Sequence, residues 1–445
     1  MKKPLLIPAI WMISSCGRSG NQTSAANALA ARFPAVFNRP VILMVVLFSA
    51  VFNLFMANAQ ESSWDKPYVG SDPSLLYYPD QNSVYVRYGW ENNKRQGIVI
   101  KGKIPDARYF SFNLYDDQTK SSIFALADYE IVPDENDKTS YTIHIMPEGE
   151  KGKFKNLIIV PNAVSTASVF LRYYLPRENI YANVPLPSLN IIENGKLTPV
   201  KPSVPVPSMS NADLAKLKSI ITANPKIISG KERKLLASTS ATVAEKEPII
   251  SKVFTMPIFA HYKDPNNIGS YNFNPGGNYP NKDNHYITMP VVRKKDDILV
   301  VRFKAPEYAT QLGDNSQQVR YFSLSQGNEY TNTSLTIHDE LLRVNSDGYV
   351  YVVVANENSE VKTKVNAMGI NFMPWLHKDK LVLILRHMLP APGFTSSTRE
   401  VPQFDKNKPA KDQVAQLTIG DYALVGKFIK KSAWKSVNTI EQFGF

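Results

Sequence analysis

From residue 84 onward, polar and apolar side chains repeatedly change places with a period of two. Val84-Tyr85-Val86-Arg87-Tyr88, Tyr109-Phe110-Ser111-Phe112-Asn113-Leu114, Tyr141-Thr142-Ile143-His144-Ile145 and Val169-Phe170-Leu171-Arg172-Tyr173-Tyr174 are rich in β-branched and aromatic residues. Such runs fit a pleated surface with one covered face. Turn-forming clusters bound them, as in Val132-Pro133-Asp134-Glu135-Asn136-Asp137. The same texture returns in Ile298-Leu299-Val300-Val301-Arg302-Phe303, Tyr349-Val350-Tyr351-Val352-Val353-Val354 and Leu381-Val382-Leu383-Ile384-Leu385. Short strands spaced by turns, without long alternating helices, predict an all-β chain of two tandem antiparallel β-sandwich or jelly-roll modules.

The two halves also share words. Tyr78-Pro79 with Tyr85 recurs as Tyr279-Pro280 with Tyr286, 201 residues on, and Arg108-Tyr109-Phe110-Ser111 recurs as Arg320-Tyr321-Phe322-Ser323, 212 on. Asp128 before Tyr129-Glu130-Ile131 has its counterpart in Asp339 before Glu340-Leu341, the aspartates at an offset of 211, and Leu171-Arg172 with Leu175-Pro176 is matched by Leu385-Arg386 with Leu389-Pro390 at 214. Four matches in one order at nearly constant offset point to an internal duplication.

Between the copies, Pro185 to Pro207 is proline-rich and expected to be extended, and Ser210-Asn211-Ala212-Asp213 opens a short helical pattern with Leu214, Leu217 and Ile221 on one face. Asp412 to Trp434 predicts one or two short helices in a basic C-terminal tail carrying Lys427, Lys430, Lys431 and Lys435. The organisation expected is an export signal over 1–59, a first sandwich over 60–195, a helical linker over 196–255, a second sandwich over 256–398 and a tail over 399–445.

Export is expected from the N-terminus. Val41 to Met56 is an apolar stretch behind Arg32 and Arg39, followed by the small-x-small pattern Ala57-Asn58-Ala59. Its sixteen residues fall short of the roughly 20 that span a bilayer. An earlier apolar stretch ends at Ile13-Ser14-Ser15-Cys16, so lipid anchoring at Cys16 is the alternative. Either way the mature chain is placed in the periplasm or outside the cell. Cys16 is the only cysteine, which excludes an internal disulfide and a cysteine-based zinc site. The net charge of +12 includes five basic residues before position 60. The remaining excess is mild and not interleaved with aromatics, so nucleic acid is not an expected partner, whereas peripheral contact with an anionic envelope is compatible with it.

The first copy resembles a bacterial exported domain of unknown function, the 1214-like jelly-roll family. The likeness rests on Phe110-Ser111 with Leu114-Tyr115-Asp116, then Asp128-Tyr129-Glu130-Ile131, Tyr141-Thr142-Ile143-His144-Ile145, Pro161 and Leu171-Arg172-Tyr173-Tyr174-Leu175-Pro176. It covers 78–180 and, more faintly, 279–394, where Leu324-Ser325-Gln326-Gly327 lacks the Tyr-Asp pair. The resemblance implies fold and export, and no particular chemistry.

No nucleophile elbow, phosphate-binding loop, dinucleotide glycine fingerprint or His-Glu-x-x-His helix is present. Of six histidines, His285 near Asp283 and His338 before Asp339-Glu340 are the ones considered as His and carboxylate groupings. The recurrent Arg108/Arg320, Asp128/Asp339 and Arg172/Arg386 predict an ion pair made twice, with a clamp for anionic groups as the alternative. Function is therefore sought where the copies differ. The candidate binding residues are Tyr115, Asp116, Arg172, His338 and Arg386, with no metal and no cofactor indicated. Exposed rings such as Tyr77, Tyr78 and Trp90 are candidates for stacking on sugars. The expectation is a binding protein for a glycan or small anionic molecule. A hydrolase or isomerase with a His/carboxylate site and a structural envelope protein that binds other proteins are the alternatives.

Overall fold

Ala107–Asp116 forms a strand (β4) whose first nine residues are all buried, which simple alternation between a core and a wet face does not produce. Phe110, Phe112 and Leu114 enter the core of the first sandwich. The opposite face is covered too: Tyr109 belongs to a separate cluster with Ala127, Tyr174, Tyr321 and Met388, residues of both copies. One strand thus packs in its own sandwich and against the other.

The computed structural model describes Trp64 and residues 68–69, 78–93, 96–150, 152–176, 186–200, 268–273, 280–292, 297–328, 333–377 and 380–445. The two apolar N-terminal stretches expected to act as export signals and the helical pattern expected after Ser210 lie outside the described residues. Ser62–Phe445 makes one compact unit.

In the first copy, one sheet runs in the order β1 (Tyr68–Val69), β2 (Ser83–Glu91), β8 (Thr166–Pro176), β4, β5 (Ser122–Ala127). Its partner sheet runs β10 (Lys196–Pro199), β9 (Ser188–Glu193), β3 (Gln96–Lys103), β6 (Ser140–Pro147), β7 (Leu157–Val160). The second copy repeats the plan. One sheet is β11 (Asn284–Val292), β17 (Lys380–Met388), β13 (Tyr321–Gly327), β14 (Thr333–His338), and the other β16 (Asn371–Pro374), β15 (Tyr349–Ala355), β12 (Asp297–Lys304), β18 (Val425–Lys430). Strand for strand, β2–β9 correspond to β11–β18, so the stretches around Tyr109 and Tyr321 occupy the same place. The fold is all-β in two sandwich modules, as expected. Each copy departs from a purely antiparallel plan by one edge pair, β6 with β7 and β15 with β16, which run parallel.

Correspondence reaches single hydrogen bonds. Buried Asn156 accepts from Val132 N at 2.8 Å and donates to the carbonyls of Val132 and Thr142, at 2.8 and 3.0 Å. Asn371 does the same with Arg343 N and the carbonyls of Arg343 and Tyr351. Each bracket ties the segment after a 3-10 turn (Asp128–Glu130, Asp339–Leu341) to the second sheet. Leu175 and Leu389 share a left-handed backbone, φ 44° each, a costly conformation for a branched residue. Each gives its N–H to a carbonyl ahead of the first long strand, Asn82 at 2.9 Å and Asp283 at 2.7 Å.

The sandwiches extend beyond the boundaries expected from composition. Lys196–Pro199 pairs with β9 as a hairpin, so part of the proline-rich stretch is sheet. In the C-terminal tail, Val425–Lys430 pairs with β12 along six residues, flanked by single turns of helix at Gln416–Ile419 and Lys431–Trp434. Trp434 and Phe443 then pack on Ile298, Val300, Tyr351 and Val353, burying the outer face of the second sheet; such burial contributes on the order of 2 kcal/mol per large side chain. The tail is a working part of the second module.

Candidate functional site

The polar faces of β4/β8 and β13/β17 meet in a seam between the copies. Arg108 Nη1 lies 3.0 Å from Asp339 Oδ2, and its Nη2 reaches Glu340. In return, Arg320 Nη1 lies 2.8 Å from Asp128 Oδ2. The ion pair is made twice, as expected, but crosswise: each arginine takes the carboxylate of the other copy. Arg108, Arg320 and Asp339 are almost wholly buried, so each charge depends on its partner to offset the loss of water.

A turn before the first long strand of each copy inserts into this seam. Asp80 accepts from Tyr321 Oη (2.8 Å), Ser323 Oγ (2.8 Å) and Arg386 Nη1 (2.7 Å), while Arg386 Nη2 donates to Tyr78 O at 2.9 Å. Asp80 also caps its own turn by accepting from Asn82 N at 2.9 Å. In the second copy the capping position is Asn281, which accepts from Asp283 N at 3.1 Å. The carboxylate has moved two residues along, and Tyr109 Oη donates to Asp283 Oδ2 at 2.5 Å. Burial raises the pKa of Asp283 and pushes that of Tyr109 well above its usual value.

Arg172, the counterpart of Arg386, donates to Tyr115 Oη at 2.7 Å, and Tyr115 Oη donates to Pro280 O at 2.8 Å. The rings of Tyr85, Tyr115 and Phe170 stand 5.4, 5.8 and 5.7 Å from its guanidinium carbon, a cation held against aromatic faces. Burial lifts the Tyr115 hydroxyl to a pKa of about 12, so it remains a neutral donor at neutral pH.

Three of the five sequence candidates, Tyr115, Arg172 and Arg386, meet in the seam. His338 joins its edge, opposite Ser323 in the ladder, with Nδ1 3.6 Å from Asp339 Oδ1; that aspartate already serves Arg108. Asp116 lies apart and caps the turn after β4, accepting from Gln118 N and Thr119 Oγ1 at 2.8 Å each. Asp283 and His285 form no pair: the aspartate accepts from Tyr109, whereas His285 lies beside His387 in the ladder. Burial holds His285 and His377 near pKa 4 and His387 near 3. These imidazoles are neutral packing groups. Among the described residues no cluster of three or more His, Cys, Asp or Glu is placed to hold a metal ion. Of the rings considered for stacking, Tyr78 is buried, its hydroxyl donating to Asn328 O at 2.7 Å. Trp90 stacks on Tyr88, and Tyr77 lies outside the described residues.

A second feature belongs to the second copy alone. Between β15 and β16 run fifteen residues (356–370), where the first copy has nine (148–156). The extra length forms a helix, Ser359–Ala367 (α1), with Asn358 accepting from Glu360 N at its start. Val361 and Val365 turn one face into the core, and Lys364 ties the helix to the carbonyls of Trp434 and Lys435 at 2.9 Å each. Lys362 and Asn366, four apart, share another face, which borders a groove of about 280 Å³ at the mouth of the sandwich, between edge strands β14 and β16. Ile337, Leu341, Phe372 and Pro374 provide its apolar surface, and Arg343, Lys362 and Glu357 its charges. The sequence reading missed this groove. The available signal was the longer 356–370 connection, with a cap at Asn358 and valines at helical spacing.

No family model and no curated protein matches the chain. Among solved structures it is similar to an uncharacterized protein from Burkholderia cenocepacia at 10% identity, covering 92% of this chain and 95% of that one with a TM-score of 0.49. It is also similar to a protein from Vibrio parahaemolyticus at 12% identity, covering 80% of this chain and 92% of that one with a TM-score of 0.40.

Proposed function

We propose that this chain is an exported binding protein, periplasmic or secreted, in which two clasped sandwiches form the frame and a glycan or small anionic molecule is taken at the surface. The observation that carries this reading is the engagement of the seam's polar groups. Arg108, Arg320, Arg386, Asp80, Asp128 and Asp339 all hold one copy to the other, and His285, His377 and His387 are neutral packing groups. Groups tied in this way are poorly placed to reach a reacting substrate. An open groove on a rigid body supports binding instead. The signal-like segment ending at Ala59 and the resemblance of the first copy to an exported jelly-roll family support export.

The test is a thermal-shift panel of oligosaccharides, organic carboxylates and inorganic anions on the purified protein, followed by calorimetry. A site-specific ligand at a hundred times its Kd should add about 2.7 kcal/mol of stability. A panel that shifts nothing, together with turnover of a glycoside or ester that Asp283→Asn abolishes without unfolding, would replace binding by catalysis.

A further inference from the structure

We infer that the mouth of the second sandwich binds a small amphipathic anion, an apolar body of about a dozen non-hydrogen atoms bearing one carboxylate-like head. The inference rests on the binding reading above and assigns its site and ligand class. Three independent observations meet there.

The first is shape. A groove of about 280 Å³ is at the small end of ligand pockets, and it has an apolar surface to receive a hydrocarbon body. Leu341 is 64% exposed at its edge. A lone exposed leucine is ordinary; one bordering a concave apolar surface has something to cover.

The second is charge. Arg343 makes no side-chain hydrogen bond or ion pair among the described residues, while its backbone is pinned at both N and O by Asn371. The guanidinium therefore extends from a fixed point. Lys362 shares its charge with Glu357 only loosely, at 3.8 Å and with both side chains more than half exposed, a pair of little strength in water. The surplus is one positive charge, on the residue type whose planar fork matches a carboxylate.

The third is divergence between copies. The bracket is common to both, but it presents Val132 in the first copy and Arg343 in the second. In the aligned 3-10 turns, Glu130 becomes Leu341. Glu357, Lys362 and Asn366 come from a connection that is longer only in the second copy. The scaffold stays the same while these substitutions and the added helix together make an apolar groove with a cationic rim. A sugar would be better served by broad exposed rings, and among the described residues the groove's one aromatic ring, Phe372, is half-buried.

The experiment is calorimetric titration of the full chain with 3-phenylpropanoate and, separately, with the uncharged 3-phenylpropan-1-ol and with acetate. Saturable 1:1 binding of the phenylpropanoate is expected, with the alcohol and Arg343→Gln each weaker by about tenfold, since a charged hydrogen bond is lost in both. Acetate should bind too weakly to saturate, and Leu341→Asp should abolish the response. Both substitutions are at exposed side chains, and an unchanged melting temperature would verify folding. Binding of 3-phenylpropanoate unaltered by either substitution overturns the site and leaves the binding reading standing. A response to the oligosaccharides of the thermal-shift panel but to no carboxylate overturns the ligand class, again leaving that reading. Silence towards every compound overturns both.

Discussion

Arg108 and Arg320 fill one structural position twice, and each reaches out of its own sandwich for a carboxylate. Truncating Arg320 to alanine leaves Asp128 buried, with 2% of its side chain exposed, and without its guanidinium. Leaving one member of a buried pair alone costs about 3–5 kcal/mol, so Arg320→Ala should lower the urea midpoint sharply. Arg320→Ala/Asp128→Ala should recover part of the loss, with a coupling energy of about 1–3 kcal/mol; strict additivity would show that the pair does not clasp the copies. The sequence made the recurrence of both signs legible, and hence a duplicated ion pair. It could not show that the partners cross over, because an offset identifies equivalent residues without saying which copy supplies the neighbour. The exchange of Asp80 and Asn82 for Asn281 and Asp283 was equally hidden. Only the turn geometry reveals that the carboxylate moved two places and now accepts from the Tyr109 hydroxyl.

At the level of elements, strands with clean alternation were readable, and the weakly patterned ones were not. The strand Val425–Lys430 has no fully buried residue, and its lysines at 427 and 430 gave the segment the look of a basic surface. Yet it closes the second sheet against β12, in the place that β9 holds in the first copy. Its contribution is mainly backbone pairing along six positions, which side-chain pattern does not advertise. Ending the chain after Leu424 would expose β12 as a bare edge and remove Trp434 and Phe443 from the hydrophobic cluster they share with Val300 and Val353. An unpaired, apolar sheet edge is an aggregation site. The shortened protein should therefore be recovered as aggregate, or melt at least 10 °C below the full chain at roughly 2–4 °C per kcal/mol. A truncated protein that is monomeric and as heat-resistant as the parent would show the tail to be a mere appendage.

Taken whole, the molecule has the architecture of an isologous dimer written into one chain. In such an assembly the same patch is used by both partners, residue i meeting j and j meeting i, as Arg108 with Asp339 and Arg320 with Asp128 do here. What a covalent link adds to such an interface is effective concentration, in the millimolar range for short flexible tethers. Whether the clasp needs that help depends on its own strength. Two crosswise ion pairs, the Arg386–Asp80 pair at 2.7 Å and the Tyr109, Tyr174, Tyr321 and Met388 cluster form a desolvated centre of the kind that dominates stable interfaces. The halves should then stay together after the chain is cut. With a protease site placed between residues 201 and 267 and cleaved in the folded protein, native mass spectrometry at micromolar concentration should still report a single particle with the mass of both fragments. Adding Arg320→Ala to the cleaved protein should release them, because an unpartnered Asp128 is better hydrated in a separated module than in a closed seam. Fragments that separate without that substitution would mean that the connecting segment, and not the exchange of charges, holds the two sandwiches as one.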